Sequence, residues 1–493
     1  MSDSGKTLAE LGLSIDRGSW APVTGIAVDS RDVKPGYLFA ALPGSKIHGA
    51  AFITYALRQG ASAILTDIEG AKLAAHDLNK SDAKLCVFAD PRKTLAIASA
   101  LFYDAQPEVM MAITGTNGKT SVSTFCRQIW IEIGLQAVNI GTTGVEGCWV
   151  APLMHTTPEP ITLHRVLAQA HSVGITHAVI EASSHGLDQK RLDGVDLKVA
   201  GFTNFSQDHL DYHETFEAYF AAKAGLFLRV LGSLATAVLN VDDPKGVELL
   251  AVCKRRNQKT ITVGRCDADL RLIRQKFDAT GQEILFSWDG KLHHVKVPLV
   301  GGFQGENLLL AAAMVIAGGA LVDEVFESLK MIKPVRGRME LAVTRANGAT
   351  VYVDYAHTPD AVATALKALR PHVMGRLVVV LGAGGDRDTQ KRALMGQAAE
   401  QFADLVFVTD DNPRTEDPAL IREMIMQGAP NSTEVADRAE AILRAVDCLR
   451  SGDTLLIAGK GHEVGQIIGT DVFPFDDVEQ ASIADAALEG EFS

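Results

Sequence analysis

Short apolar runs separated by helically spaced stretches recur along this chain, and that alternation predicts strands and helices in turn rather than a helical bundle or a β-sandwich. The first clear case is Val109-Met110-Met111-Ala112-Ile113-Thr114, which has strand length. It bends through Gly115-Thr116-Asn117-Gly118 and opens a helical pattern at Lys119-Thr120-Ser121. Strand-like runs follow at Ala178 to Ala182, Val199 to Phe205, Ala235 to Asn240 and Thr260 to Val263. Between 270 and 300, polar and apolar positions alternate around Gly281 and Asp289-Gly290, which predicts antiparallel hairpins appended to the sheet. Gly301 to Gly318 reads as a loop feeding an apolar helix that carries Asn307.

A second set of runs lies at Val351 to Tyr355, Leu377 to Leu381, Leu405 to Thr409 and Thr454 to Ile457, the pattern of buried parallel strands. Helical patterns separate them, at Asp360 to Leu369, Lys391 to Phe402, Pro418 to Met426 and Arg438 to Leu449. Ahead of both sets, Thr24 to Val28 leads into Asp29-Ser30-Arg31. Tyr37 to Leu42 and Ala63 to Thr66 read as short strands, and Ala50 to Gln59 and Arg92 to Tyr103 as helices. The expected fold is therefore α/β in three domains. A small α/β unit spans 1–107 and ends at Gln106-Pro107. A P-loop-type ATPase domain with a mostly parallel sheet spans 108–332, and a Rossmann-like α/β domain spans 333–493.

Composition narrows this picture. A length of 493 residues suits three domains, and 47% hydrophobic with 22% charged residues excludes global disorder. A net charge of −13 argues against a nucleic-acid partner, while leaving room for a local basic cleft around an anionic nucleotide. Cys86, Cys126, Cys148, Cys253, Cys266 and Cys448 are scattered with no CxxC pair, which fits a reducing cytosol and offers no cysteine metal site. The N-terminal stretch lacks an apolar h-region, so no signal peptide is expected. No apolar run reaches the ~18 residues that a membrane-spanning helix needs.

The bend after Thr114 carries the first candidate chemistry. A glycine-rich turn between strand and helix aims backbone N–H groups at one point. The helix N-terminus adds partial positive charge, Lys119 a full one, and the Thr120 hydroxyl can reach a Mg²⁺ held by a triphosphate. The strict P-loop pattern places glycine where Ile113 stands, so the alternative is an ordinary Gly-rich turn. The order strand, loop, helix favours the cradle. Glu181, in Glu181-Ala182-Ser183-Ser184-His185, follows a strand and can hold Mg²⁺ directly or through water, or else serve as a cap or salt-bridge partner.

Thr203-Asn204-Phe205-Ser206-Gln207-Asp208-His209-Leu210-Asp211-Tyr212-His213 gathers two histidines and two aspartates in its last six residues. The His-x3-His spacing suits a helix face, but Leu210 and Tyr212 between suggest a loop. No cysteine completes a structural zinc site, so a hard-cation role for His209 is preferred, with His213 structural. Lys223 stands alone in the apolar helix Phe216 to Leu228. Desolvation there lowers a lysine pKa, unless the side chain snorkels to water. Asp29-Ser30-Arg31 and Gly44-Ser45-Lys46-Ile47-His48-Gly49 offer hydroxyls and cations to an anionic or sugar ligand, or are plain turns. Four polar loops follow the C-terminal strands: Asp354 to His357, Gly382 to Asp388, Asp410 to Arg414 and Gly459 to Glu463. Loops at the carboxyl ends of parallel strands are where open α/β sheets bind ligands.

Taken jointly, Gly115-Thr116-Asn117-Gly118-Lys119-Thr120, Thr203 to Asp211, Asp354-Tyr355-Ala356-His357-Thr358-Pro359 and Gly459-Lys460-Gly461-His462-Glu463 resemble the Mur ligases, over nearly the whole chain from Asp29 to Glu463. Folylpolyglutamate synthetases share the fold and part of the central pattern, but would not be expected to carry the first domain.

The resemblance implies a cytoplasmic, monomeric, ATP-dependent amide ligase of peptidoglycan precursor synthesis. It implies small-molecule substrates, with neither a nucleic-acid partner nor membrane insertion. ATP is the co-substrate, Mg²⁺ the metal, and CO₂ enters as a lysine carbamate. Carried over by motif, Gly115, Thr116, Asn117, Gly118, Lys119, Thr120 and Ser121 hold the phosphates, and Asn307 contacts adenine. Arg338 and Asp354 complete the nucleotide site, with His357 nearby. Thr120, Glu181, His209 and a carbamylated Lys223 serve the metals, and Lys119, Lys223 and His209 form the catalytic set. Val28, Ser30, Ser45, Lys46 and Ile47 hold the uridine diphosphate end of UDP-N-acetylmuramoyl-L-alanyl-D-glutamate. His155, Thr156, Thr157, Ser183, Gln189 and Arg191 hold its muramoyl-peptide.

The amine is assigned through Arg387, Asp411, Asn412, Pro413, Arg414, Gly459 and Glu463. An arginine fork pairs with the extra carboxylate that distinguishes meso-diaminopimelate from lysine. Relatives that add L-lysine resemble this motif with a small residue in place of Arg414. An L-lysine ligase and a non-catalytic nucleotide-binding regulator are the competing readings. Two departures from the family pattern are minor: Ser121 after the cradle, and Gly382-Ala383-Gly384.

Overall fold

A computed structural model describes residues 5–14, 22–44, 47–206, 208, 210–278 and 281–490. Three main sheets follow one another along the chain. The first is a four-stranded parallel sheet, β1 (Gly25–Ala27), β2 (Tyr37–Ala40), β3 (Ala63–Thr66) and β4 (Lys84–Val87), in that order. The second has ten strands: β5 (Val109–Thr114), β6 (Ala137–Gly141), β7 (Gly144–Gly147), β8 (His177–Glu181), β9 (Val199–Phe202), β10 (Thr236–Asn240), β11 (Lys259–Gly264), β12 (Leu270–Asp278), β13 (Gly281–Trp288) and β14 (Lys291–Val297). Their spatial order is β14-β13-β12-β11-β10-β9-β5-β8-β6-β7. The third comprises β15 (Glu340–Thr344), β16 (Thr350–Asp354), β17 (Leu377–Leu381), β18 (Leu405–Val408), β19 (Thr433–Glu434) and β20 (Thr454–Ala458), in the order β15-β16-β20-β17-β18-β19. A hairpin of β21 (Gly465–Ile468) and β22 (Asp471–Pro474) stands apart.

The period-2 geometry of strands explains why β5 is apolar throughout. Met111 and Ile113 enter one core layer and Met110 and Ala112 the opposite one, so both faces are covered. The helices Lys119–Glu132 and Gly302–Ala317 cover one of these faces, joining Val122, Phe125 and Leu308 to the Met111 layer. The third sheet repeats the scheme, with Val379 on one side and Val378 and Val380 on the other. In the second sheet β5 lies between β8 and β9, and the strand order reverses there. That switch point opens a crevice at the strands' carboxyl ends, directly at the Gly115–Gly118 bend.

Several expectations need correction. Residues 210–213 form a helical turn, Leu210–His213, not a loop. The Phe216 to Leu228 helix is α-helical only to Gly225 and passes into a π-turn over Leu226–Val230. Ala50 to Gln59 divides into a 3₁₀ turn, Gly49–Phe52, and the α-helix Ile53–Arg58. The β9 strand stops at Phe202, short of the expected Phe205, and the next residue, Thr203, donates its hydroxyl to the Asn117 carbonyl at 2.6 Å. The appended antiparallel strands fall where the alternation placed them, with β12, β13 and β14 paired in sequence.

The strand-end loops of the third sheet rest on a fully buried ion pair. Arg438 Nε donates to Asp477 Oδ1 at 2.8 Å and Nη2 to Oδ2 at 2.7 Å, with neither side chain exposed. The same guanidinium donates to the carbonyls of Ala458 and Asp410, at 3.0 and 3.4 Å. Charge that would be costly if unpaired is satisfied on all sides here, and the two strand-end loops after β18 and β20 are tied to one point. Among the described residues no helix is long and apolar enough to cross a membrane.

Candidate active site

The bend after β5 is held open by glycine. Gly115 and Gly118 have φ of 147° and 86°, and a Cβ at Gly118 would sit 2.6 Å from Asn307 Oδ1. The facing segment braces the loop: Thr116 N donates to Asn204 O and Asn117 N to Asn204 Oδ1, both at 2.9 Å. Lys119 lies along its own loop, donating from Nζ to Gly115 O at 2.9 Å and Thr116 O at 2.8 Å. Burial pulls its pKa below the ordinary lysine value, against the opposing charges of Glu181 and Asp208.

Beside it, Thr120 Oγ1 donates to Glu181 Oε2 at 3.0 Å. Thr142 donates to the same carboxylate from its N at 3.2 Å and its Oγ1 at 3.3 Å. Burial raises the Glu181 pKa, and Lys119 and Arg338 pull it back toward the ionised form. The donors gathered here are all hard oxygens, which fits Mg²⁺ and no soft metal. Among the described residues no three His, Cys, Asp or Glu side chains converge as a cage. Mg²⁺ sites of the phosphate-transferring kind are built in this sparse way, with substrate oxygens supplying the remaining ligands.

Lys223 is 1% exposed, so it does not snorkel. Its Nζ donates to Gly115 O at 2.7 Å and lies 4.5 Å from the centre of the Tyr219 ring. Burial first, then the nearby charge of Lys119, push its pKa well below the ordinary value, while Asp208 opposes the shift. The shift favours the neutral amine more than in an exposed lysine, at the mouth of the Gly115–Gly118 bend. His213 packs against Tyr219 and His185, with ring centres 5.3 and 5.5 Å apart, as a structural histidine would. His209, like Ser45 and Lys46, lies outside the described residues.

A continuous cavity of about 810 Å³ runs from the cradle across the crevice. On one side lie His155, Thr156, Thr157, Ser183 and Arg191. Thr157 Oγ1 donates to Glu181 O at 2.7 Å, and Arg191 Nη1 donates to Thr157 O at 2.6 Å. Gln189 Oε1 accepts from Arg191 Nη2 at 2.8 Å, and its Nε2 donates to Tyr212 OH at 3.2 Å. Thr142 and Tyr212 belong to this network, and Thr142 carried no signal in the sequence, because its partner lies 39 positions away. Val28, Ser30 and Ile47 do not line the cavity. Ser30 is buried, whereas Val28 and Ile47 are exposed on the first unit.

The third unit closes the other side. Arg338 Nη2 donates to Thr120 Oγ1 at 3.3 Å, and its guanidinium lies 4.4 Å from the Tyr355 ring centre. Asp354 Oδ2 accepts from Met339 N at 2.7 Å, and His357 Nδ1 lies 2.8 Å from Tyr355 O. Asn307 Nδ2 donates to Gln304 Oε1 at 3.3 Å, with Asn307 facing the cradle. Arg387 also lines the cavity.

Asp411, Asn412, Pro413, Arg414, Gly459 and Glu463 form a separate cluster just beyond it, outside the lining. There Asn412 Nδ2 donates to Glu463 Oε2 at 2.8 Å, and the fully buried Lys460 Nζ to Asn412 Oδ1 at 3.1 Å. Arg414, with φ 51°, donates from Nη1 to Gly385 O at 2.7 Å.

Burial lifts the Asp354 pKa from 3.8 to about 6. The folded state then binds this proton more tightly than the unfolded chain. The stabilising contribution is full below about pH 4 and is lost as pH rises through 6. Asp354→Asn, which keeps an acceptor for Met339 N, should flatten the stability profile between pH 4 and 6.5. Denaturant midpoints at each pH test this; an unaltered slope would show that Asp354 ionises normally.

Three family models match successive parts of the chain: the Mur ligase family catalytic domain over residues 22–109, the Mur ligase middle domain over 113–315, and the Mur ligase glutamate ligase domain over 337–461. The UDP-N-acetylmuramoyl-L-alanyl-D-glutamate--2,6-diaminopimelate ligase of Agrobacterium fabrum is 46% identical over 473 residues, covering 95% of this chain and 94% of its own. The protein of that name from Caulobacter vibrioides is 44% identical over 475 residues, covering 95% and 96%. A solved structure of a ligase with the same name is 33% identical, with a TM-score of 0.71, over 98% of this chain and 99% of its own. MurF of Thermotoga maritima, solved with ADP, shares the fold at 19% identity and a TM-score of 0.64, over 94% and 98%.

Proposed function

The chain belongs to the Mur ligase family, and from that premise we propose that it adds meso-2,6-diaminopimelate to UDP-N-acetylmuramoyl-L-alanyl-D-glutamate at the expense of ATP. The supporting observation is convergence. Lys119, Thr120, Glu181 and Lys223 face one cavity, Arg338 of the third unit reaches Thr120, and Arg387 lines the same cavity.

In this reading a D-glutamyl carboxylate oxygen attacks the γ-phosphorus, and ADP leaves. The acyl phosphate so formed has a leaving group that the carboxylate lacked. The amine nitrogen of diaminopimelate then attacks the acyl carbon, the tetrahedral intermediate expels phosphate, and the nitrogen loses its proton. Lys119 and the loop N–H groups hold the β- and γ-phosphates. Arg338 adds charge from across the cleft, and positioning with charge neutralisation carries the transfer.

Thr120, Glu181, His209 and Lys223 are the residues that would hold Mg²⁺, which supplies neutralisation of phosphate charge when bound. The depressed pKa of Lys223 suits attack of its neutral amine on CO₂, giving a carbamate and releasing a proton. Asn307 and Asp354 serve the nucleoside; His155, Thr156, Thr157, Ser183, Gln189 and Arg191 the muramoyl-peptide; and Val28, Ser30, Ser45, Lys46 and Ile47 the uridine end. Arg414 with Arg387 pairs with the second carboxylate of the diamine, Gly459 and Glu463 fix its amino-acid end, and Asp411, Asn412 and Pro413 complete that site. Functional units of 1–107, 108–332 and 333–493, a monomeric state, and a cytoplasmic setting with a reducing environment for the cysteines complete the reading.

Phosphate release by the purified protein, with a panel of amines, tests it. Release should require both the UDP-dipeptide and an amine. Diaminopimelate should exceed L-lysine by ~10⁴ in kcat/KM, since lysine leaves a desolvated guanidinium unpaired. Lysine performing equally would move the assignment to the lysine ligase. No release with any amine would leave a non-catalytic nucleotide binder.

A further inference from the structure

Beneath the loops that carry Arg387 and Arg414 lies a charged side chain that touches no substrate cavity. Arg392, on the helix Lys391–Phe402, is 0% exposed. Its Nη1 donates to Glu416 Oε2 at 2.9 Å and its Nη2 to Glu416 Oε1 at 2.8 Å, a two-pronged pair. Nη2 also donates to Gly384 O at 3.3 Å, and Nη1 lies 3.3 Å from Met424 Sδ.

Glu416 passes the connection on, accepting from the backbone N of Asp386. Asp386 in turn accepts from Thr415, from Oγ1 at 2.8 Å and N at 3.2 Å. Gly385 N donates to Asn412 O at 2.9 Å, and a Cβ at Gly385 would collide with the Pro413 carbonyl. The loop after β17 and the loop after β18 are therefore laced together, residue by residue.

Backbone conformation adds an independent observation. Asp386 and Arg414 both have positive φ, 53° and 51°, without being glycine. Such residues persist only where the surroundings over-determine them. One strained residue lies in each of the two laced loops, next to Arg387 in one and at Arg414 itself in the other. Arg414 Nη1 closes the circuit by donating to Gly385 O at 2.7 Å.

We infer that Arg392, through Glu416 and Asp386, is a positioning residue that sets the spacing of the Arg387 and Arg414 guanidiniums, and so the selectivity for a diamine bearing a second carboxylate. This rests on the function proposed above. A guanidinium recognises a carboxylate through directed paired hydrogen bonds, so a small displacement weakens recognition sharply. Lysine at 392 keeps the charge but cannot hold both Glu416 oxygens and the Gly384 carbonyl in one plane.

The test measures KM for diaminopimelate, ATP and the UDP-dipeptide in the parent, Arg392→Lys and Asp386→Gly. The glycine tolerates the positive φ while removing both ties to Thr415. It is also on the surface, so it remains informative where Arg392→Lys fails to fold. Each folded variant should raise the diaminopimelate KM about 10-fold and narrow its preference over L-lysine by a similar factor, with KM for ATP and UDP-dipeptide within about 2-fold, as a local misplacement would. Uniform changes in all three constants, or an unchanged diaminopimelate KM in the folded variants, would overturn the inference. A parent protein that does not use diaminopimelate would instead refute the function on which it rests.

Discussion

Lys223→Ala should turn over at least ~10³-fold more slowly than the parent while binding ATP within a few-fold, the size of effect that follows loss of a preorganised charge at a reacting centre. The geometry argues for this split. Lys223 Nζ reaches the phosphate loop at Gly115 O, whereas the loop itself is braced by Asn204 and Thr203, which the substitution leaves alone. Lys119 and Lys223 donate to the same carbonyl, so two ammonium groups would compete there. Burial first, then their repulsion, shift position 223 toward the neutral amine. A carbamate at that nitrogen would place an anion beside Lys119 and would offer oxygen to a hard cation. Alanine cannot be carbamylated, but a short carboxylic acid can occupy the vacated space. Acetate or formate should therefore restore part of the lost rate. Nucleotide binding by calorimetry and phosphate release with and without acetate measure the two halves separately. Turnover equal to the parent's would remove the carbamate from the reaction.

How far these features were legible depends on whether their causes are local. The strand–bend–helix at Gly115–Gly118 was readable because its parts are contiguous in sequence, and Gly115 and Gly118 occupy backbone conformations that favour glycine. The parallel strands of the third sheet were readable because burial on both faces leaves a continuous apolar run such as Leu377 to Leu381. Lys223 left two readings open, since an apolar window says that a lysine is surrounded by hydrophobic residues but not how deep its amine lies. Tertiary packing against Tyr219 decided it. Thr142, Arg392 and Glu416 had no sequence signal at all, because each acts through a partner brought close only by the fold. Leu210 to His213 was misjudged because a single helical turn is too short for periodicity to register.

Arg414→Ala should raise the KM for diaminopimelate about 10²-fold while moving the KM for ATP less than about 3-fold, since charged hydrogen bonds contribute roughly 1.5–3 kcal/mol each and a carboxylate takes two from one guanidinium. The cluster sits outside the cavity lining, so loss of this side chain leaves the Arg338–Thr120 contact intact. One complication is built into the backbone. Position 414 has φ 51°, its N donates to Ile467 O at 3.1 Å, and its carbonyl accepts from Gly469 N at 2.7 Å. Alanine also removes the Nη1 bond to Gly385 O that helps hold this φ, so part of the loss comes from the loop's shape rather than from carboxylate recognition. Arg414→Asn separates the two, because asparagine tolerates the left-handed region but lacks the fork. If recognition of the second carboxylate is the cause, Asn and Ala variants lose diaminopimelate use alike, and both narrow its advantage over L-lysine. If Asn recovers most of the parent's kcat/KM, position 414 serves the loop's shape and the carboxylate is read elsewhere, with Arg387 the next guanidinium to test.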